Sequence, residues 1–427
     1  MIANPTAHRL LAGPPPGGAP ETLHAHVARL GELPLDVARG DLIPALEASG
    51  LLGRGGAGFP VGRKWRAMAE RRAGGSGGSG RSGRSGRAVI VANGAEGEPA
   101  SFKDRVLMAS RPHLVVDGAI LAAKAVGADE IVFYIGEEHH AAVAAMTRAV
   151  DERRDEIRRP ASVVTAPVGY VAGEATAAVN FINTGKALPT TTPPRMSERG
   201  VGGRPTLVQN VESLAYAALI ARFGEHWYRS AGRLMTRGTA LVTVSGAVAD
   251  QGVREIELGT TVGDIAAQAG SVEGGTRAVI LGGYFGTWAP ADEVWGLPLD
   301  PVVMTSIGLT FGCGIVGLLP TDACGVSATA GIMGFMARES AGQCGPCQYG
   351  LQALGEATTR VAYGRADAGD LDRIDLLTAQ TGGRGACHHP DGAVGLMASA
   401  LNVFGDEFRH HAQTGRCSVT GSRIEAP

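Results

Sequence analysis

Leu51-Leu52-Gly53-Arg54-Gly55-Gly56-Ala57-Gly58-Phe59-Pro60-Val61-Gly62-Arg63-Lys64-Trp65 is the stretch around which the rest of the chain is arranged. Four of the six residues from Gly53 to Gly58 are glycine, so the backbone turns freely and carries no side chains in the way. Bare N–H groups in such a loop form a concavity for an anion such as a phosphate. Arg54 and Lys64 supply positive charge nearby. The stretch has no Gly-Lys-Ser/Thr, and although Gly53, Gly55 and Gly58 have G-x-G-x-x-G spacing, no strand run precedes them, so it is no clean dinucleotide fingerprint. In a chain with 64 glycines a flexible loop is the bland alternative, and the stretch alone indicates phosphate and nothing narrower.

Outward from that loop the chain alternates strand and helix signals. Ala88-Val89-Ile90-Val91-Ala92, Glu130-Ile131-Val132-Phe133-Tyr134-Ile135 and Ser162-Val163-Val164 are short apolar runs that predict strands. Residues 105–127, 138–158 and 173–182 have helical spacing between and after them. The alternation predicts an α/β layer with parallel strands, whose ligands sit beyond the strands' carboxyl ends. Asn93-Gly94-Ala95-Glu96-Gly97-Glu98 follows a strand directly and is placed for binding. Residues 30–52 read as a short helical approach with Asp41 as a cap. The Gly/Ser/Arg segment 73–87 cannot bury apolar surface and reads as a flexible insert.

A net charge of −2 argues against a general electrostatic grip on nucleic acid. No run of eighteen apolar residues suggests a membrane span. The opening residues, with Gly13-Pro14-Pro15-Pro16-Gly17-Gly18, read as a disordered tail over 1–29 rather than a signal peptide. The six cysteines, at 313, 324, 344, 347, 387 and 417, all fall in the last third, unlike a disulfide framework. Reduced thiols in the cytoplasm and a metal site near the end are the economical reading.

Ala92-Asn93-Gly94-Ala95-Glu96-Gly97-Glu98-Pro99, Phe102-Lys103-Asp104-Arg105, Gly169-Tyr170-Val171-Ala172-Gly173-Glu174, Gly203-Arg204-Pro205-Thr206 and Gln209-Asn210-Val211-Glu212 follow the glycine stretch in this order. The set resembles the NADH-binding flavoprotein subunit of complex I and its relatives in NAD-dependent hydrogenases and formate dehydrogenases. The resemblance runs from about residue 52 to about residue 408. It implies a Rossmann-like FMN/NAD(P)H-binding α/β domain over 30–237, a β-grasp (ubiquitin-like, SLBB-type) domain over 238–300 and a C-terminal helical bundle over 301–427 that binds iron–sulfur.

The resemblance places the FMN phosphate at Gly53, Gly55, Gly56, Gly58 and Lys64. It implies that Asn93, Glu96 and Glu98 hold the flavin ring and the nicotinamide pocket, with Glu96 and Glu98 shaping and polarising the site. Phe59, Tyr170, Gly173, Glu174 and Asn210 complete the cofactor-binding set. Ala95, Ala175 and Gln209 replace the family's aspartate, second glutamate and adjacent asparagine. Thr192-Pro193-Pro194-Arg195 stands for a Lys-Pro-Pro-Phe segment that helps hold NADH. A lost acid plus a new arginine eases entry of a 2′-phosphate and leaves NADPH, NADH or no nicotinamide at all each open.

Alternation over residues 241–246 and 253–258 suits paired strands, and residues 328–340, 348–362, 371–379 and 394–404 read as helices. Cys344-Gly345-Pro346-Cys347 with Cys387 resembles the family's cluster motif, in which a [4Fe–4S] cubane takes four thiolates. Ala341 stands where the first family cysteine belongs, so three ligands match and a three-iron form is open. Zinc on Cys344, Cys347, Cys387 and His388 is the chemical competitor. Cys313 and Cys324 read as small buried residues, and Cys417 is a weak candidate for the fourth position.

These residues imply an oxidoreductase subunit that accepts hydride from NAD(P)H on FMN and passes single electrons through an iron–sulfur cluster to a partner. The partner would be an electron-transfer protein such as a ferredoxin-like subunit, within a hetero-oligomeric complex that meets the inner face of a membrane only through other subunits. The competing class is a non-catalytic docking or assembly protein on the same fold with a lost cofactor.

Overall fold

The computed structural model describes residues 9–74, 88–271 and 274–421. The insert expected over 73–87 lies, from residue 75 onward, outside the described residues. The chain forms two compact units, Met1–Val242 with Val253–Thr260, and Thr243–Gly252 with Thr261–Pro427.

The first unit is built on a parallel sheet of β1 (Ala88–Gly94), β2 (Ala128–Gly136), β3 (Ala161–Ala166) and β4 (Thr206–Asn210), in the order β3-β2-β1-β4. Side chains of β1 alternate between faces, because successive Cβ atoms point to opposite sides of a strand. Ile90 and Ala92 join one core cluster, Val89 and Val91 the other. The first face is covered by helices Pro112–Val126 and Val211–Arg229. These two meet at Gly118, where an added Cβ would lie 2.1 Å from the Leu214 carbonyl oxygen. Helix Ala175–Thr184 packs on the second face.

The strand order places a topological switch between β1 and β4. The chain moves from β1 outward to β3, then returns to the far side of β1. Asn93 of β1 and Asn210 of β4 are register partners at the carboxyl ends of those strands. Crevices at such points are where open α/β sheets bind ligands. The helix expected over 105–127 is two helices, Lys103–Ser110 and Pro112–Val126, because Pro112 lacks the N–H needed to continue the first. Asp41 precedes helix Leu42–Ser49 but makes no side-chain cap.

The expected disordered tail does not hold from Arg9 onward. The backbone N–H groups of Arg9, Leu10 and Leu11 donate to the Glu255 carboxylate at 2.8, 2.9 and 3.0 Å. The Arg9 guanidinium lies 4.2 Å over the Trp227 ring, and Leu10 is fully buried. Arg111 donates to the carbonyls of Leu11 and Ala12, both at 2.9 Å. Helix Leu23–Leu30 follows, capped by Thr22. A short apolar pair with charged anchors on distant elements docks a segment that its Pro/Gly composition marks as solvated.

The second sheet contains β5 (Thr239–Gly246), β6 (Gly252–Glu257), β7 (Thr276–Leu281), β8 (Thr287–Pro290) and β9 (Ile315–Pro320), in the order β6-β5-β9-β7-β8. β9 runs parallel to β5 and antiparallel to β7. The sheet therefore continues past residue 300, where the expected β-grasp domain ended. Its middle strand is the apolar run Ile315-Val316-Gly317-Leu318-Leu319, whose burial needs neighbours on both sides. Helices Gly325–Arg338, Gln352–Ala362, Asp370–Thr381 and His389–Thr414 follow, the last bent at Phe404. Among the described residues no single helix is long and apolar enough to cross a membrane.

Candidate functional site

The glycine loop closes on itself at the carboxyl edge of the first sheet. Gly53 N–H donates to the Phe59 carbonyl at 2.9 Å, and Leu52 bridges Pro60. Gly56 and Gly58 have φ of +100° and +62°, conformations that side chains beyond glycine resist. A Cβ on Gly55 would sit 3.3 Å from Asn210 Cβ, so the loop lies directly over the end of β4. A Cβ on Gly56 or Gly58 would meet nothing within 4 Å, so these two border open space. Phe59 is 56 % exposed beside them.

The two cations of the stretch part company. Arg54 turns inward, its guanidinium donating to the Thr239 carbonyl at 3.0 Å and its N–H to Ser213 Oγ at 2.9 Å. Lys64 Nζ instead reaches the middle of β4, donating to the Val208 carbonyl at 2.5 Å. Burial draws its pKa down to about 8. An ammonium held in that condition gains from an arriving anion.

Asn93 and Asn210 fix the loops around the edge. Asn93 Nδ2 donates to the Gly173 carbonyl at 2.9 Å, and its Oδ1 accepts from Ala95 N–H at 3.2 Å. The 93–98 and 169–174 loops then interleave. A Cβ on Gly97 would lie 2.7 Å from the Tyr170 carbonyl oxygen, and one on Gly173 2.6 Å from that of Ala95. Asn210 Oδ1 caps helix Val211–Arg229 through Glu212 N–H at 3.0 Å, while its Nδ2 donates to Asp104 at 2.7 Å.

The acids differ in what they face. Glu96 accepts from Ser101 Oγ, from the N–H groups of Asp104 (3.2 Å) and Arg105 (3.3 Å), and from the Arg105 guanidinium. It thereby caps helix Lys103–Ser110 and ties it to the β1 loop. Glu98, nearly buried, accepts from the Tyr170 hydroxyl at 3.2 Å. Glu174 turns back to cap its own helix, accepting from Thr176 and Ala177 N–H at 2.8 and 3.0 Å.

Beneath the edge is a charged cluster whose roles the sequence did not suggest. Lys103 Nζ lies 2.7 Å from Asp104 and 3.0 Å from Glu212, and Glu212 also accepts from Leu241 N–H at 3.0 Å. Burial raises the Asp104 pKa more than the Lys103 ammonium lowers it, and Glu96 and Glu212 add to the rise. For Lys103 burial acts the other way and is outweighed by those same carboxylates. The only signal was Phe102-Lys103-Asp104-Arg105 itself, whose Lys-Asp pair sits at a helix start.

In the second unit Cys344 and Cys387 flank a buried Cys347. Burial, then Cys344 and Cys387, push the Cys347 thiol up to about 12. The Cys344 thiol moves down: burial opposes this, but N–H groups of Ala386 and Cys347 and the Cys347 thiol outweigh it. A single π-turn, Pro346–Leu351, carries Cys347 into the next helix, a distortion that recurs at functional sites. Three thiols therefore act on one another here, one fewer than the four a cubane takes. His388 does not complete the set, because its side chain is 96 % exposed and lies 3.4 Å from Asp391. Cys417 is grouped with Cys324 and His411, their ligand atoms within 4.8 Å of one another.

Comparison with known proteins matches both regions. The family described as Nuo51 FMN-binding domain matches residues 46–218, and the NADH-ubiquinone oxidoreductase-F iron-sulfur binding region matches residues 327–411. The F 2 subunit of NADH-quinone oxidoreductase in Rhizobium meliloti is 29 % identical over 392 residues, 88 % of this chain and 90 % of the relative. The F subunit of NADH-quinone oxidoreductase in Mycobacterium bovis is 31 % identical over 392 residues, 88 % of this chain and 86 % of the relative. Among solved structures, a chain of an NAD+-reducing [NiFe]-hydrogenase in the H2-reduced state superposes with a TM-score of 0.79 at 29 % identity, covering 91 % of this chain and 67 % of that one.

Proposed function

From the premise that this chain belongs to the family of NADH-quinone oxidoreductase F subunits, we propose that it is the component that takes electrons from NADH and passes them singly to a partner. FMN supplies the chemistry that joins a two-electron donor to one-electron carriers. The observation that carries this reading is the glycine loop lying over the end of β4, the strand whose Val208 carbonyl holds the Lys64 ammonium. The open N–H groups around Gly56 and Gly58, with Lys64, would hold the FMN phosphate. Asn93 and Asn210 tie the loops down at the β1/β4 edge, where Tyr170 is hydrogen-bonded to Glu98. Glu96 is a positioning residue here, acting through helix Lys103–Ser110. Phe59 offers an exposed ring for stacking against a nicotinamide cofactor.

Cys344, Cys347 and Cys387 would hold the iron–sulfur centre and supply the one-electron exit. The finer architecture follows the family: the second sheet is a β-grasp, SLBB-type module for docking, and the four helices after it form the iron–sulfur bundle. Residues 30–237 form the FMN/NAD(P)H-binding part. The partner is an electron-transfer subunit of a hetero-oligomeric complex.

Gly56→Val tests the flavin assignment. The new side chain meets no protein atom within 4 Å of its Cβ but strains the loop at φ +100° and stands where the phosphate should approach. We expect a folded protein whose FMN affinity falls about a hundredfold, equivalent to about 2.7 kcal/mol. Stoichiometric FMN in the folded variant would show that this loop does not hold it.

A further inference from the structure

We propose that Cys324, His411 and Cys417 form a second metal site that binds one zinc-class divalent ion, separate from the Cys344, Cys347 and Cys387 centre. The three ligand atoms lie within 4.8 Å of one another, and Cys324 Sγ is 3.4 Å from His411 Nε2. In a tetrahedral site with Zn–S near 2.3 Å and Zn–N near 2.0–2.1 Å, a sulfur and a nitrogen ligand stand about 3.5 Å apart. The observed pair already has the spacing of one edge of such a tetrahedron.

The backbone around each ligand is fixed from several sides. Cys324 is the N-cap of helix Gly325–Arg338, and its sulfur accepts from Ser327 N–H at 3.3 Å. The residues on either side are held by one ion pair: the Ala323 carbonyl accepts from Arg277 at 2.9 Å, and Gly325 N–H donates to Glu407 at 3.3 Å. Glu407 lies one turn before His411 on helix His389–Thr414, so the same pair that anchors Cys324 also anchors the helix carrying His411. Cys417 comes two residues after Gly415, the left-handed C-cap of that helix, and is 3 % exposed.

Packing alone leaves this cluster poorly explained. His411 is fully buried, and the polar group its Nε2 meets is the Cys324 sulfur. Two thiols and an imidazole are a borderline-soft donor set suited to zinc. Three protein ligands leave a fourth position for water or another exchangeable ligand. Metal there would clasp the segment after residue 415 to the start of helix Gly325–Arg338.

The test uses the full chain carrying its flavin and iron, treated with a chelator and titrated with zinc or cobalt(II) alone. We expect about one equivalent to bind, cobalt to give thiolate-to-metal charge-transfer absorption, and the melting temperature to rise. Cys417→Ser and His411→Gln should each weaken that binding by at least tenfold while iron and flavin contents stay unchanged. Cys417→Ser is the milder change, near the chain's end, and circular dichroism shows whether each variant folds. Cobalt binding without thiolate absorption, or unaltered binding in both folded variants, would overturn the proposal. So would a Cys324–Cys417 disulfide in the protein as isolated, detected by mass spectrometry before and after reduction.

Discussion

The flavin edge of the first unit and the cysteine region of the second are built on opposite principles. At the edge the donors are mostly backbone groups, and side chains such as Asn93, Asn210 and Glu96 hold the backbone in place. Replacing the family's aspartate by Ala95 leaves that frame standing, because the 95 position contributes its N–H and carbonyl. In the cysteine region the side chains themselves are the donors, and Ala341 subtracts one outright. A site made of backbone tolerates changes of residue identity, whereas a site made of side chains must count them.

The largest expected effect breaks the second half of that contrast. Cys347→Ser should remove iron by more than the roughly 10–100-fold that changes to a ligand's supporting partners cost, with flavin retained. Iron and flavin assays on the same sample decide it. Gly97→Val attacks the frame of the first half. Its side chain meets the Tyr170 carbonyl, and we expect about 1–3 kcal/mol of destabilisation with loss of FMN, read by denaturant unfolding.

A third effect follows from Lys64, whose pKa is lowered to about 8 by burial. An anion favours the ammonium, so binding raises that pKa and requires a proton above it. FMN affinity should therefore fall as pH rises past about 8, by at most about tenfold per pH unit, and Lys64→Met should flatten that slope. In the apo protein the sign differs: the buried lysine weakens folding below about 8, and stability recovers as pH rises toward its ordinary value.

Smaller again is Ala341→Cys, which should restore a fourth thiolate. We expect a several-fold longer life of the cluster in air and a lower reduction potential, measured by EPR-monitored titration. The smallest effect concerns the nicotinamide. Arg195 is exposed and Ala175 opens a helix, so NADPH should reduce the flavin within a few-fold of NADH. Arg195→Phe should shift that ratio toward NADH in stopped-flow reduction.

Strand runs such as Val89-Ile90-Val91 and the glycine loop were legible because period and composition act locally. β4 was not, since only Leu207 and Val208 mark it as apolar, yet it makes the switch point on which the site rests. Glu174 matched the family motif in sequence but caps its own helix, a role set by backbone direction. The Cys324, His411 and Cys417 cluster was illegible because β9 and the last helix bring together residues up to 93 positions apart (417 − 324). The docking of Arg9–Leu11 on Glu255 is of the same kind, an interaction that exists only once the fold has formed.

The central claim is that one chain joins a flavin at the β1/β4 edge to an iron–sulfur centre on Cys344, Cys347 and Cys387. Anaerobic titration of the purified full chain with NADH, followed by visible absorbance and EPR together, tests it most directly. The account predicts a flavin spectrum that bleaches and a cluster signal that changes with added NADH. A colourless protein without iron or acid-labile sulfide, or a flavin that NADH does not reduce, would contradict it.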